Sequence, residues 1–159
     1  MAEQYIARRL TKERVEQAYP LVQTVSEEVS LKKWHAYADA YLNRGSKGSI
    51  GESGIVCVEN EQGYIHGLLG FRVDMTLRWG RTLICEHLIA LHLVNAEPII
   101  TTIIEKMDAL ARDLECEAIH VTGLHAYSTA RTIHPGLLLN VGYELETIGF
   151  CRRLEPSEV

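Results

Sequence analysis

The chain has 159 residues, 47% of them hydrophobic and 23% charged, which is the size and balance of one globular domain able to fold without metal or disulfide. Its 16 basic and 21 acidic residues give a net charge of -5 with no basic stripe, which excludes a nucleic-acid binder working by general electrostatics. Cys57, Cys85, Cys116 and Cys151 form no C-x-x-C, residues 1–5 lack the apolar core of a signal peptide, and no stretch approaches the ~20 apolar residues of a membrane-spanning helix, so reduced, buried thiols in a cytoplasmic protein are expected.

A short strand is expected at 5–10, followed by two helices. Thr11 is a plausible N-cap for the first, with Pro20 closing it. Ser30 caps the second, over 31–42, where Leu31, Trp34, Ala38 and Tyr41 share one face at helical spacing. The polar stretch 43–53, with Gly45, Gly48 and Gly51, reads as a mobile loop. Three strands follow, at 54–59, 64–74 and 82–91, joined by turns at 60–63 and 77–80, and two successive hairpins make an antiparallel meander. Ile99, Ile100, Ile103, Ile104, Met107, Leu110, Ala111 and Leu114 then recur at spacings of three and four, the apolar face of a helix starting near Pro98. A strand at 118–122 completes a βαβ unit, so it should lie parallel to 82–91. A short helix at 135–141 ends before Gly142, and a last strand is expected at 143–154.

This order resembles the GNAT superfamily of acyl-CoA-dependent acyltransferases. The resemblance spans nearly the whole chain as a single domain, 1–159, and is carried best by Glu86-His87-Leu88-Ile89-Ala90, by the helix from Ile103 to Leu114, and by Gly142-Tyr143. It implies an α/β fold: a mixed central sheet with an antiparallel N-terminal meander, a βαβ crossover, and helices on both faces.

The resemblance also implies a site. Glu86 stands where many members keep a glutamate general base, and a strand position facing a cleft would raise its pKa toward neutrality. The backbone around Ile89, Ala90 and Leu91 would hold the pantetheine arm of acetyl-CoA or another acyl-CoA. The pyrophosphate turn falls on 95–100, with Asn95, Ala96 and Ile100 among its positions. Here the chain departs from the family. Pro98 removes a donor amide, Ile100 puts a branched side chain where glycine usually lets phosphate approach, and Glu97 adds a negative charge. Leu138 stands where many members have the tyrosine that protonates the leaving thiolate.

No metal site is expected: there is no HExxH, and strand alternation sends Glu86 and His87 to opposite faces. His125, Tyr127, Arg131 and His134 gather on a loop after a parallel strand, where α/β sheets bind ligands. Trp34, Tyr37 and Tyr41 lie in the region that helps form the family's acceptor pocket, although aromatics at helical spacing more often pack a core. The expected function is acyl transfer from acyl-CoA to an amine acceptor, with neither nucleic acid nor membrane as partner and a homodimer left open. The rival expectation is a GNAT-fold binding or structural module that has lost catalysis, which the altered turn at 95–100 favours.

Overall fold

Hydrophobic patterning and short turns produce one five-stranded sheet whose spatial order is the chain order. A computed structural model of the protein describes residues 3–45, 47–93, 95–122, 135–146 and 149–154. The strands are β1 (Tyr5–Arg9), β2 (Ser53–Asn60), β3 (Ile65–Thr76), β4 (Gly80–Ala90) and β5 (Ala118–Thr122), arranged β1-β2-β3-β4-β5. β1 to β4 pair antiparallel, while β5 lies parallel to β4 with Thr82 opposite Ala118 and Glu86 opposite Thr122. The crossover is α3 (Glu97–Asp113), as the βαβ expectation requires.

The sheet's two faces carry separate cores. Val56, Val58, Leu69, Phe71, Val73, Leu83 and Cys85 pack against Ile99, Ile103, Met107 and Leu110 of α3. On the other face, Ile55, Cys57, Leu68 and Ile89 meet α1 (Val15–Val25) and α2 (Leu31–Leu42) through Ala18, Leu21, Val22, Trp34 and Ala38. Helices therefore cover both faces. The α2 bounds follow from its cap, since Ser30 Oγ accepts from the Lys33 amide at 3.2 Å. Trp34 is fixed further by its indole N–H, which donates to the Val15 carbonyl at 2.8 Å and ties α2 to α1.

Some expectations need correcting. Pro20 lies inside α1 rather than at its end. The helix opens with a separate 3-10 turn at Lys12–Arg14, and Thr11 makes no side-chain cap bond there. The described residues at 48–52 of the loop 43–53 are tied down rather than free. The buried Glu52 carboxylate accepts from the Gly48 amide and from Arg9 at 3.2 Å, and Gly51 N–H donates to the Val73 carbonyl at 2.8 Å. Cys57 and Cys85 are buried, but Cys151 is exposed. The last strand does not appear among the described residues of 143–154. After α4 (Pro135–Asn140), the Tyr143 amide closes the helix end onto the Leu138 carbonyl, and Leu145, Phe150 and Leu154 are exposed.

Candidate functional site

The polar centre of the molecule lies where β3, β4 and α2 meet. Register places Gly70 opposite Glu86, so Arg72, two residues on, is the diagonal neighbour of Glu86 on the same sheet face. Arg72 Nη1 donates to Glu86 Oε1 at 2.6 Å. The Tyr41 hydroxyl of α2 donates to Glu86 Oε2. Burial pushes the Glu86 carboxyl up, but the Tyr41 and Arg72 hydrogen bonds and the Arg72 charge outweigh it, leaving the group below its ordinary range. The expected rise toward neutrality is therefore reversed. Glu86 is half-buried, and an adjacent guanidinium holds it ionised.

Alternation fails immediately after Glu86. Leu68 pairs with Ile89 while Gly70 pairs with Glu86, so β4 holds one residue more than β3 over this stretch. The bulge residue is His87, with φ +53, in the left-handed region. It shifts the pattern by one, so that Leu88 enters the α3-side core and His87 joins Glu86 on the α2 side. The expectation of opposite faces is overturned for that reason. His87 Nδ1 lies 3.2 Å from the Tyr37 hydroxyl, and the two rings meet edge-on at 5.2 Å. Tyr37 and Tyr41 stack at 4.4 Å, and Trp34 continues the stack from the core at 5.7 Å. Gly70 makes room for this arrangement, because a side chain there would overlap the Tyr37 hydroxyl.

A second feature concerns backbone. The described residues of β5 pair with β4 as far as Thr122 opposite Glu86, whereas β4 runs on to Ala90. Among the described residues, Ile89 and Ala90 pair with Leu68 and Gly67 of β3 and with no residue of β5. The Leu91 amide donates to the His66 carbonyl at 2.8 Å, which turns it toward β3. Alternation then directs the peptide groups of Ala90, rather than those of Ile89 or Leu91, away from β3.

The turn before α3 is closed to anions at its first four helical amides. Glu97 N–H donates to Asn95 Oδ1 at 3.0 Å, Pro98 has no N–H, and the Ile99 and Ile100 amides both donate to the Ala96 carbonyl, at 3.1 and 3.0 Å. Ile100 is buried, at 4% exposure, so its side chain belongs to the packing of α3. Asn95, Ala96 and Ile100 are thus brought together as a self-satisfied helix start. His92 Nδ1 accepts from the Asn95 amide at 3.0 Å and secures the same turn.

Leu138 is buried in the α3-side core. His125, Tyr127, Arg131 and His134 lie outside the described residues. Among the described residues, no group of three or more His, Cys, Asp or Glu side chains is placed to hold a metal ion, and no helix is long and apolar enough to cross a membrane. Arg72 and the placement of His87 were missed by sequence reasoning. The strand alternation Gly70-Phe71-Arg72 hinted at the first, whereas nothing in Glu86-His87-Leu88 signals a bulge.

No protein-family model matches the chain, and no curated protein sequence matches it significantly. Solved structures do. The aminoglycoside N-acetyltransferase AAC(6')-Iy, in complex with CoA, superposes with a TM-score of 0.73 at 13% identity, over 96% of this chain and 97% of its own. A protein of Bacillus halodurans C-125 described as a transcriptional regulator gives a TM-score of 0.72 at 13% identity, over 95% and 100% of the two chains. A GNAT family acetyltransferase of Staphylococcus aureus gives 0.65 at 14% identity, over 94% and 98%. Since these superpositions take in nearly the whole of each chain, the chain has the fold of the GNAT acetyltransferases.

Proposed function

We propose that the protein transfers an acyl group from a pantetheine thioester to an amine. The observation that carries this reading is the end of β4 at Ile89 and Ala90, paired with no described residue of β5, beside the Glu86, Arg72, Tyr37, Tyr41 and His87 cluster. An amide-bearing pantetheine arm is peptide-like and suits an open strand edge, where Ala90 would offer both a donor and an acceptor. Its thioester would then lie near the polar cluster. Glu86, ionised by Arg72, would act as a charged anchor of the site.

The fit to the rest of acyl-CoA is poor. The α3 start leaves none of its first four amides for a pyrophosphate, and Glu97 stands beside it. Acetyl-CoA should therefore bind with a dissociation constant at or above about 1 mM, less than ~4 kcal/mol of binding energy. Calorimetry with acetyl-CoA tests this, and micromolar affinity would show that other groups hold the phosphates. Transfer to a panel of primary amines, followed by mass, tests the reaction itself. The closed α3 start also favours a second reading, a GNAT-fold module that binds a ligand without turnover. Thioester binding with no transfer to any amine of the panel would select it.

A further inference from the structure

A second cluster of titratable side chains lies at the end of the sheet, beside the α3 start and apart from Glu86. His92 follows β4 and is half-buried. Its Nδ1 accepts the Asn95 amide N–H at 3.0 Å, and its Nε2 lies 3.5 Å from Glu3 Oε2. One imidazole therefore joins the N-terminal segment to the turn before α3. Among the described residues, Glu3 faces it from ahead of β1, Tyr5 from β1 with ring centroids 6.4 Å apart, and His66 from β3 at 6.1 Å. Glu97 is the charged residue at the start of α3. Glu3 has other partners: its Oε1 accepts from Asn60 Nδ2 at 2.9 Å, and its Oε2 accepts from the Tyr5 hydroxyl at 2.8 Å. These two hydrogen bonds hold its carboxyl below the ordinary range, so it stays ionised in mild acid.

The two ring nitrogens of His92 answer a proton in opposite ways. A backbone N–H only donates, so Nδ1 carries a lone pair and the neutral ring keeps its proton on Nε2, toward Glu3. Protonation puts a hydrogen on Nδ1. The Asn95 amide then faces a donor in place of an acceptor, and that bond is lost. The contact with Glu3 is strengthened instead, because the imidazolium still donates from Nε2 and now carries charge. His66 Nδ1 donates to the Leu91 carbonyl at 3.4 Å, so that ring bonds the end of the strand rather than the turn. The loss at Asn95 reaches α3, since Asn95 Oδ1 accepts the Glu97 N–H at 3.0 Å. The residue that His92 anchors is the one that caps the helix.

We propose that His92 is a proton-operated latch on the α3 start. Neutral, it holds Glu3 and Asn95 together. Protonated, it keeps Glu3 and releases Asn95, and the first turn of α3 frays. Imidazoles change charge between about pH 5 and 8, which sets the range of the latch. The latch stands whether or not the protein transfers acyl groups, because both contacts are made within the chain.

Nitrogen NMR of the imidazoles, with hydrogen exchange at the Asn95 amide corrected for its intrinsic rate, tests the latch on the whole chain from about pH 8 to 5. The wild type should show an Nε2–H tautomer at His92 at the alkaline end. Protection of the Asn95 amide should then fall about tenfold in step with His92 protonation, the scale of one lost hydrogen bond. In His92→Asn the side-chain oxygen replaces Nδ1 as an acceptor that no proton blocks, so Asn95 should stay protected throughout. His66→Gln should respond as the wild type does. Thermal unfolding at the alkaline end checks that both variants fold, and the wild-type measurement decides alone if either does not. An Nδ1–H tautomer at His92, a His92 that stays neutral across the range, or unchanged Asn95 protection while His92 protonates overturns the proposal. So does a pH response that survives in folded His92→Asn or vanishes in folded His66→Gln.

Discussion

Replacing Arg72 by Met tests how the site holds its charge. The Arg72 and Glu86 side chains are 27% and 22% exposed, so their 2.6 Å contact lies between two regimes. Exposed pairs contribute ~0–1 kcal/mol, and breaking a fully buried one costs about 3–5 kcal/mol because a charge is stranded. Tyr41 still bonds Glu86 in the variant, which limits the loss. A destabilisation of about 2 kcal/mol at neutral pH is expected, or a shift of about 1 M in the urea midpoint for a slope near 2 kcal/mol per M. The sign with pH follows from Glu86, whose carboxyl is lowered in the folded state. Its contribution is present above the unfolded carboxylate pKa, near 4.3, and is lost as pH falls through the lower folded value. The gap between wild type and Arg72→Met should therefore narrow in acid. A double-mutant cycle with Glu86→Gln isolates the pair. A coupling below about 0.5 kcal/mol, or a gap that widens in acid, would refute the account.

Other perturbations read different parts of the molecule. Gly70→Ala drives a methyl into the Tyr37 hydroxyl and should cost about 1–3 kcal/mol, measured by urea unfolding. Ile103→Ala, at a site with 0% exposure between α3 and the sheet, should cost about 2–5 kcal/mol without altering thioester affinity by calorimetry. Acetyl-pantetheine should replace acetyl-CoA with kcat/KM within a few-fold, because the α3 start offers its phosphates no amides among its first four positions. A hundred-fold preference for acetyl-CoA would mean that the phosphates are held elsewhere.

The architecture was legible because it rests on local periodicity. The apolar recurrence from Ile99 to Leu114 fixed α3, and the strands on either side of it had to lie parallel. The site was less legible because it rests on register. Arg72 meets Glu86 only once β3 and β4 are aligned, and His87 reaches the same face through a bulge that no turn-forming residue announces. Glu86 was found by its place in a familiar segment, but the direction of its pKa depended on Arg72 and Tyr41, contributed by two other elements. The closure of the α3 start was half visible: Pro98 and Glu97 opposed an anion in sequence, while the self-satisfied amides of Ile99 and Ile100 required coordinates.

The sheet's spatial order, equal to its chain order, has a consequence for assembly. β2, β3 and β4 are joined by tight turns, and their pairing closes only short loops. β1 must wait for both N-terminal helices, because its pairing joins Arg9 to Val56, whereas the first hairpin joins Glu59 to Ile65. That is roughly three doublings of loop length, or about 2 kcal/mol of additional closure entropy. The central meander should therefore nucleate folding, with β1 arriving late and leaving first. The buried Glu52, which holds Arg9 of β1 beside the start of β2, then acts as the latch on that last step. Its loss should speed unfolding far more than it slows folding.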